Sequence, residues 1–192
     1  MILVRHGQSE FNVVYSVTRV DPGIPDPKLT EQGRRQAQDV ALALAPHGLS
    51  RIVASPYTRA VETAEIIAEA LGLDLSIEPL VREHCRFHCD IGSPASHLAR
   101  RWPAFDFSHL AERWWPDLDE TEEQLAARSQ DFRRAMAEHA ARQVRTTSSP
   151  FVFGPMDASE RRVIHLSLAE EADLITESIG EGHARRLRVA LK

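Results

Sequence analysis

Residues 51–80 read "RIVASPYTRAVETAEIIAEALGLDLSIEPL", a strand, a helix and a second strand in close succession. "RIVAS" at 51–55 is short and apolar, as a buried parallel strand should be. Ser55-Pro56 then supplies an N-cap and a first helical residue. In "YTRAVETAEIIAEAL", Val61, Ala64, Ile67, Ala68 and Leu71 fall on one side, and Gly72 closes the helix. "LSIEPL" at 75–80 returns to strand character. Two strands joined by one helix pair in parallel, through a right-handed crossover.

The same alternation extends toward the N-terminus. Ile2–Val4 is a continuous apolar run, expected to be a parallel strand buried on both faces. Residues 13–29, with four prolines and glycines close together, are expected to be loop. Thr30 can cap a helix through "EQGRRQAQDVALALA", whose apolar face is Ala37, Val40, Ala41 and Leu44, ended by Pro46 and Gly48. The fold class expected is α/β, a three-layer αβα sandwich around a mostly parallel sheet.

Composition narrows the function. The chain has 192 residues, 43% of them hydrophobic and 27% charged, which fits one domain with a sizeable core. A formal charge of −5 argues against nucleic acid or an anionic membrane as partner, though one cleft can still be cationic. No apolar stretch approaches the roughly 20 residues that span a bilayer. No secretory leader is visible, and two cysteines, Cys85 and Cys89, make no disulfide framework, so a reducing cytoplasm is the expected compartment.

Open α/β sheets bind ligands beyond the carboxyl ends of their strands. Arg5-His6-Gly7 follows the first expected strand, Ser55 and Arg59 the second, and Glu83 the third. Two arginines, a histidine and a carboxylate would thus meet at one edge. Arginine's planar fork suits phosphate oxygens. Neutral imidazole is a nucleophile near neutral pH, and a carboxyl group with a raised pKa can protonate a leaving oxygen. Glu78 is a second carboxylate in reach of that role.

"RHGQSEFN", "LTEQGRRQA", "SPYTRAVETA" and "REH", in this order, resemble the histidine phosphatase superfamily, also called phosphoglycerate mutase-like. The resemblance covers about residues 1–143 and is best over 1–83. It implies metal-independent hydrolysis of a small phosphomonoester through a phosphohistidine, without cofactor. His6 would be the nucleophile, Glu83 the general acid, and Arg5, Arg59 and Asn12 the phosphate contacts. Mutase activity ranks below hydrolysis, because the stretch after Glu83 does not resemble that of the glycolytic mutases. From another class, the alternative is a weakly active or non-catalytic phospholigand-binding protein.

Three stretches stand outside this pattern. "HCRFHC" at 84–89 holds a zinc-type ligand set at poor spacing, so no metal site is expected there. Residues 84–119, with three tryptophans, are expected to form a cap-like insertion or a helical excursion with its own small core. After a helix at 120–143 the family pattern calls for an apolar strand ending in a second histidine. The tail at about 144–192 instead suggests a hairpin, Val152-Phe153 against Val163–Leu168 around "MDASE". His165 and His183 both fit the missing position poorly. The whole chain is read as one domain over 1–192.

Overall fold

The computed structural model describes residues 2–192. The chain divides into two compact units, one of residues 4–125 and one of residues 126–192 with Ile2 and Leu3. Among the described residues no helix is long and apolar enough to cross a membrane.

In the first unit, α1 (Glu10–Thr18) is followed by α2 (Glu31–Leu44), β1 (Ile52–Ala54), α3 (Thr58–Leu71), β2 (Leu75–Ile77) and α4 (Ala95–Arg101). β1 and β2 pair in parallel, Ile52 opposite Leu75 and Ala54 opposite Ile77. The crossover predicted from 51–80 is therefore present. Thr30 caps α2 by accepting from the Gly33 N–H at 3.1 Å, and Gly72, at φ 63°, ends α3 in the left-handed conformation glycine favours. Ala41, Leu44 and Ile67 join α2 to α3 in a core that Ile52 and Leu71 flank.

Several expectations need correction. Ile2–Val4 is no buried strand: it is extended and exposed, Leu3 by 84%. A strand buried on both faces needs ladder partners, and β1 pairs only with β2 among the described residues. The mostly parallel sheet thus shrinks to two strands, and the fold is mixed α/β. Residues 10–18 are helix rather than loop. The Ser9 side chain accepts from the Asn12 N–H while Asn12 accepts from the Ser9 N–H, a capping box that starts α1. α3 begins at Thr58, not at Pro56. Its N-cap, Tyr57, makes no side-chain cap. Asp26 acts in its place, accepting from Thr58 N at 2.8 Å and Thr58 Oγ1 at 2.7 Å.

The insertion at 84–119 is a helical excursion. Leu98, Trp102 and Phe107 form a core with Val61 of α3 and Ile77 of β2.

In the second unit, most of α5 (Glu122–Thr147) and α6 (Ala158–Ser167) accompany a three-stranded antiparallel sheet in the order β3 (Phe151–Val152), β5 (Arg186–Leu191), β4 (Leu174–Ile179). Ala137, Val144, Ile164, Leu187 and Val189 are its core. The hairpin expected around "MDASE" is absent. Asp157 and Glu160 make a capping box there, and it launches α6 through the residues read as the second arm.

Candidate functional site

The segment after Val4 is held by backbone contact that only glycine permits. A Cβ on Gly7 would lie 2.2 Å from the Gly33 carbonyl oxygen, and a Cβ on Gly33 2.1 Å from the Gln8 carbonyl oxygen. The Arg-His-Gly turn therefore rests on the first turn of α2. Thr30 N donates to the Gln8 carbonyl at 2.9 Å, and Gln8 N donates to Gln36 Oε1 at 2.8 Å. From α3, Thr63 Oγ1 accepts the Gly7 N–H at 3.2 Å and donates to the Arg59 carbonyl at 2.8 Å. One threonine thus ties the histidine turn to the helix turn that carries Arg59.

Arg59 lies in the first turn of α3 and is 2% exposed. Its Nη1 donates to the Cys89 carbonyl at 2.6 Å, and its Nη2 to Asp90 Oδ1 at 2.9 Å and Glu83 Oε2 at 2.6 Å. The guanidinium carbon stands 4.4 Å from the centroid of the Tyr57 ring, a cation–π distance. Burial pushes the Tyr57 phenol far up, so it stays protonated and donates to the Asp90 carbonyl at 2.8 Å. Asp90 is itself buried, and its Oδ2 accepts from the N–H groups of Arg86 and Phe87 at 2.9 and 3.0 Å. A charge this buried is tolerable only when paired on every side, and Arg59 is so held.

That arrangement presents Arg59 Nε to His6. Nε donates to His6 Nε2 at 3.2 Å, while His6 Nδ1 lies 2.7 Å from the Gly7 carbonyl. Nδ1–H donating to that carbonyl leaves Nε2 as the lone-pair nitrogen. Glu83 Oε2 stands 3.7 Å from the same Nε2. The neighbouring His6 imidazole is the largest influence on the Glu83 carboxyl. Burial opposes it and the Arg59 charge adds to it, and the pKa falls to about 2. Glu83 is thus ionised at rest, the opposite direction from a resting proton donor. Glu78, the other carboxylate considered, faces away from this chemistry, its Oε1 accepting from Leu80 N at 2.9 Å.

Arg5 is exposed and lines the depressions on both sides of His6, one of about 220 Å³ and one of about 400 Å³. Asn12 borders the larger. Its amide oxygen accepts from Ser9 N at 2.9 Å and Ser9 Oγ at 3.0 Å, so only the amide nitrogen is left to meet a ligand. The four side chains of "HCRFHC" do not gather: His84 Nε2 reaches the Glu120 carbonyl at 2.5 Å, and His88 Nδ1 reaches Asp21 at 3.1 Å. Burial pushes the Cys85 thiol up to about 11 and the Cys89 thiol higher.

Arg5, His6, Arg59 and Glu83 therefore share one site. In the second unit, His165 lies on α6 with Nδ1 on the Thr176 hydroxyl, and His183 lies in a short 3₁₀ turn, Gly182–Ala184. Neither directly follows a strand. The sequence reading missed Asp90, Thr63 and Gly33. Asp90 directly follows the His/Cys cluster, but nothing local in the sequence marks it as folding back onto Arg59.

The family model of the histidine phosphatase superfamily (branch 1) matches residues 1–148. A second family model, of a different domain, matches residues 131–191. Among curated proteins, "Probable phosphoglycerate mutase GpmB" of Proteus mirabilis is 42% identical over 81 residues, 42% of this chain and 36% of the relative. Its counterpart in Cronobacter sakazakii is 40% identical over the same shares. The matching stretch therefore spans little over a third of the length of these relatives. A solved ecdysone phosphate phosphatase from Bombix mori, in complex with tungstate, superposes with a TM-score of 0.52 at 21% identity. That match covers 72% of this chain and 67% of the other, and it speaks to the fold alone.

Proposed function

Since the chain belongs to the histidine phosphatase superfamily, we propose that its first unit hydrolyses a small phosphomonoester through a phosphohistidine on His6, without metal. The observation that carries this reading is the His6 Nε2 lone pair, fixed by the Gly7 carbonyl and met by Arg59 Nε at 3.2 Å. An incoming phosphoryl group takes the place of the imidazole as the partner of Arg59. Arg59 and Arg5 stabilise its equatorial oxygens while Nε2 attacks phosphorus. A phosphate dianion set beside Glu83 reverses the influences on its carboxyl, because like charge and the loss of Arg59 both favour the protonated form. Glu83 then gives its proton to the leaving oxygen and, as carboxylate, activates the water that hydrolyses the phosphohistidine.

A second reading is phosphate binding with little or no turnover. It is supported by the low Glu83 pKa and by a tail that matches a different domain model where the superfamily pattern calls for a second histidine.

The test is to mix the protein with a ³²P-labelled aryl phosphate in EDTA and quench in alkali. Base-stable, acid-labile label that maps to His6, with steady release of phosphate, is the expected result. Phosphate release without such label overturns the phosphohistidine route. Binding without release favours the second reading, and activity abolished by the chelator overturns metal independence.

A further inference from the structure

We propose that the larger depression beside His6 receives a second anionic group of the substrate, with Arg19 as the residue that selects for it; this inference rests on the phosphatase reading above. The depression measures about 400 Å³ and runs from Arg5 and His6 past Asn12 and Gln36 to Tyr15 and Arg19. That is more room than one phosphoryl group fills, and it is of ligand-binding size. Its lining holds two arginines, one histidine and no carboxylate. Charge of one sign in a concave surface favours a ligand of the other sign at both ends.

Arg19 is placed for this by its backbone. It is the C-cap of α1 at φ 57° and ψ 17°, with its N–H donating to the Tyr15 carbonyl at 3.0 Å. Glycine meets that left-handed cap with less strain, so the helix end gives no reason for a guanidinium there. The side chain turns back over the Tyr15 ring, 6.0 Å from its centroid. That ring is itself fixed, stacked on Phe11 at 5.1 Å and edge-on to Phe87 at 5.2 Å. Arg19 makes no ion pair among the described residues, unlike the buried Arg59. Asn12 and Arg19 are seven residues apart, a rise of about 10 Å along α1, part of which the arginine side chain spans. The second anion therefore sits a few bonds from the reacting phosphoryl group. Arginine's fork takes a carboxylate or a phosphate equally well.

Three chain-matched esters test the subsite: propyl phosphate, 3-(phosphonooxy)propanoate and propane-1,3-diyl bisphosphate. The wild-type protein is expected to favour one or both anionic-tailed esters over propyl phosphate in kcat/KM by about tenfold or more, the scale of one charge-assisted hydrogen bond, with the gain in KM. Which tail is favoured identifies the anion as carboxylate or phosphate. In Arg19→Gly, which suits the helix cap, and in Arg19→Gln, that ratio should fall to near one. A wild-type ratio near one, or a preference kept in both variants, overturns the proposal. If none of the three esters is turned over, the phosphatase reading fails separately, and calorimetric titration of the same compounds decides the subsite. Tighter binding of an anionic-tailed ester that is lost in Arg19→Gly supports it, and equal binding of all three overturns it.

Discussion

Arg59 Nε donates to His6 Nε2 across 3.2 Å, so the imidazole nitrogen with the free lone pair and the most buried arginine of the site are direct partners. The pairing follows from two anchors. The Gly7 carbonyl holds the far side of the ring, and Asp90 with the Cys89 carbonyl holds the far side of the guanidinium. Neither group has to search for its position when phosphate enters, which is what catalysis of phosphoryl transfer chiefly demands.

His6→Ala should lower turnover of a nitrophenyl phosphate to background while leaving the circular dichroism spectrum intact. The change removes the proposed nucleophile, and the neighbouring Arg5, Arg59 and Glu83 offer no replacement. Turnover in the variant equal to that of the wild type would remove His6 from the reaction.

Arg59→Met should cost stability as well as activity. It leaves Asp90 buried with its Oδ1 facing no guanidinium, and such a broken pair destabilises by about 3–5 kcal/mol. The double variant Arg59→Met/Asp90→Asn removes both charges and should recover part of that loss in urea unfolding. A single variant as stable as the wild type would mean that the Asp90–Arg59 pair does not hold the site together.

Gly33→Ala places a methyl group against the Gln8 carbonyl, backbone against backbone, where no side chain can swing aside. The expected loss is roughly 1–3 kcal/mol, as for an overpacked core, together with lower activity, because the displaced segment carries His6. Gly7→Ala should behave alike. Normal melting and normal activity in both variants would contradict the close approach of the two turns.

The parts of this architecture that were legible in the sequence are those set by local pattern. The β1–α3–β2 crossover follows from apolar runs of the right length, and the placing of Arg5, His6, Arg59 and Glu83 together follows from strand ends. What the sequence left unread depends on partners distant along the chain. Ile2–Val4 has the composition of a central strand, but a strand is made by its neighbours, and the tail strands hydrogen-bond to one another. Asp26 caps α3 from 32 residues away, so Ser55-Pro56 offered the nearer and wrong start. The α6 segment went astray because Val163–Leu168 is apolar enough for a strand, while the Asp157–Glu160 capping box before it went unnoticed. Asp90 became visible only once the chain had folded back on Arg59.

Glu83 carries the sharpest conflict between resting state and proposed role, and two measurements separate them. In the folded protein its carboxyl is held at about 2, below the ordinary 4.5. A carboxyl lowered on folding adds stability above its unfolded pKa and loses it as the pH falls toward the folded one. The stability that Glu83 contributes should therefore be full above about pH 5 and fade between 4.5 and 2. Glu83→Gln lacks that component, so its unfolding free energy should fall less steeply through this window than that of the wild type. The second measurement is of rate at neutral pH. If phosphate raises the carboxyl and makes it the proton donor, Glu83→Gln should slow an alkyl phosphate by roughly 10²–10⁴-fold, the range of general acid catalysis. A nitrophenyl phosphate, whose leaving oxygen scarcely needs a proton, should slow only a few-fold. Equal losses on both esters would leave Glu83 as a partner of Arg59 alone, and the proton would then have to come from another group or from water.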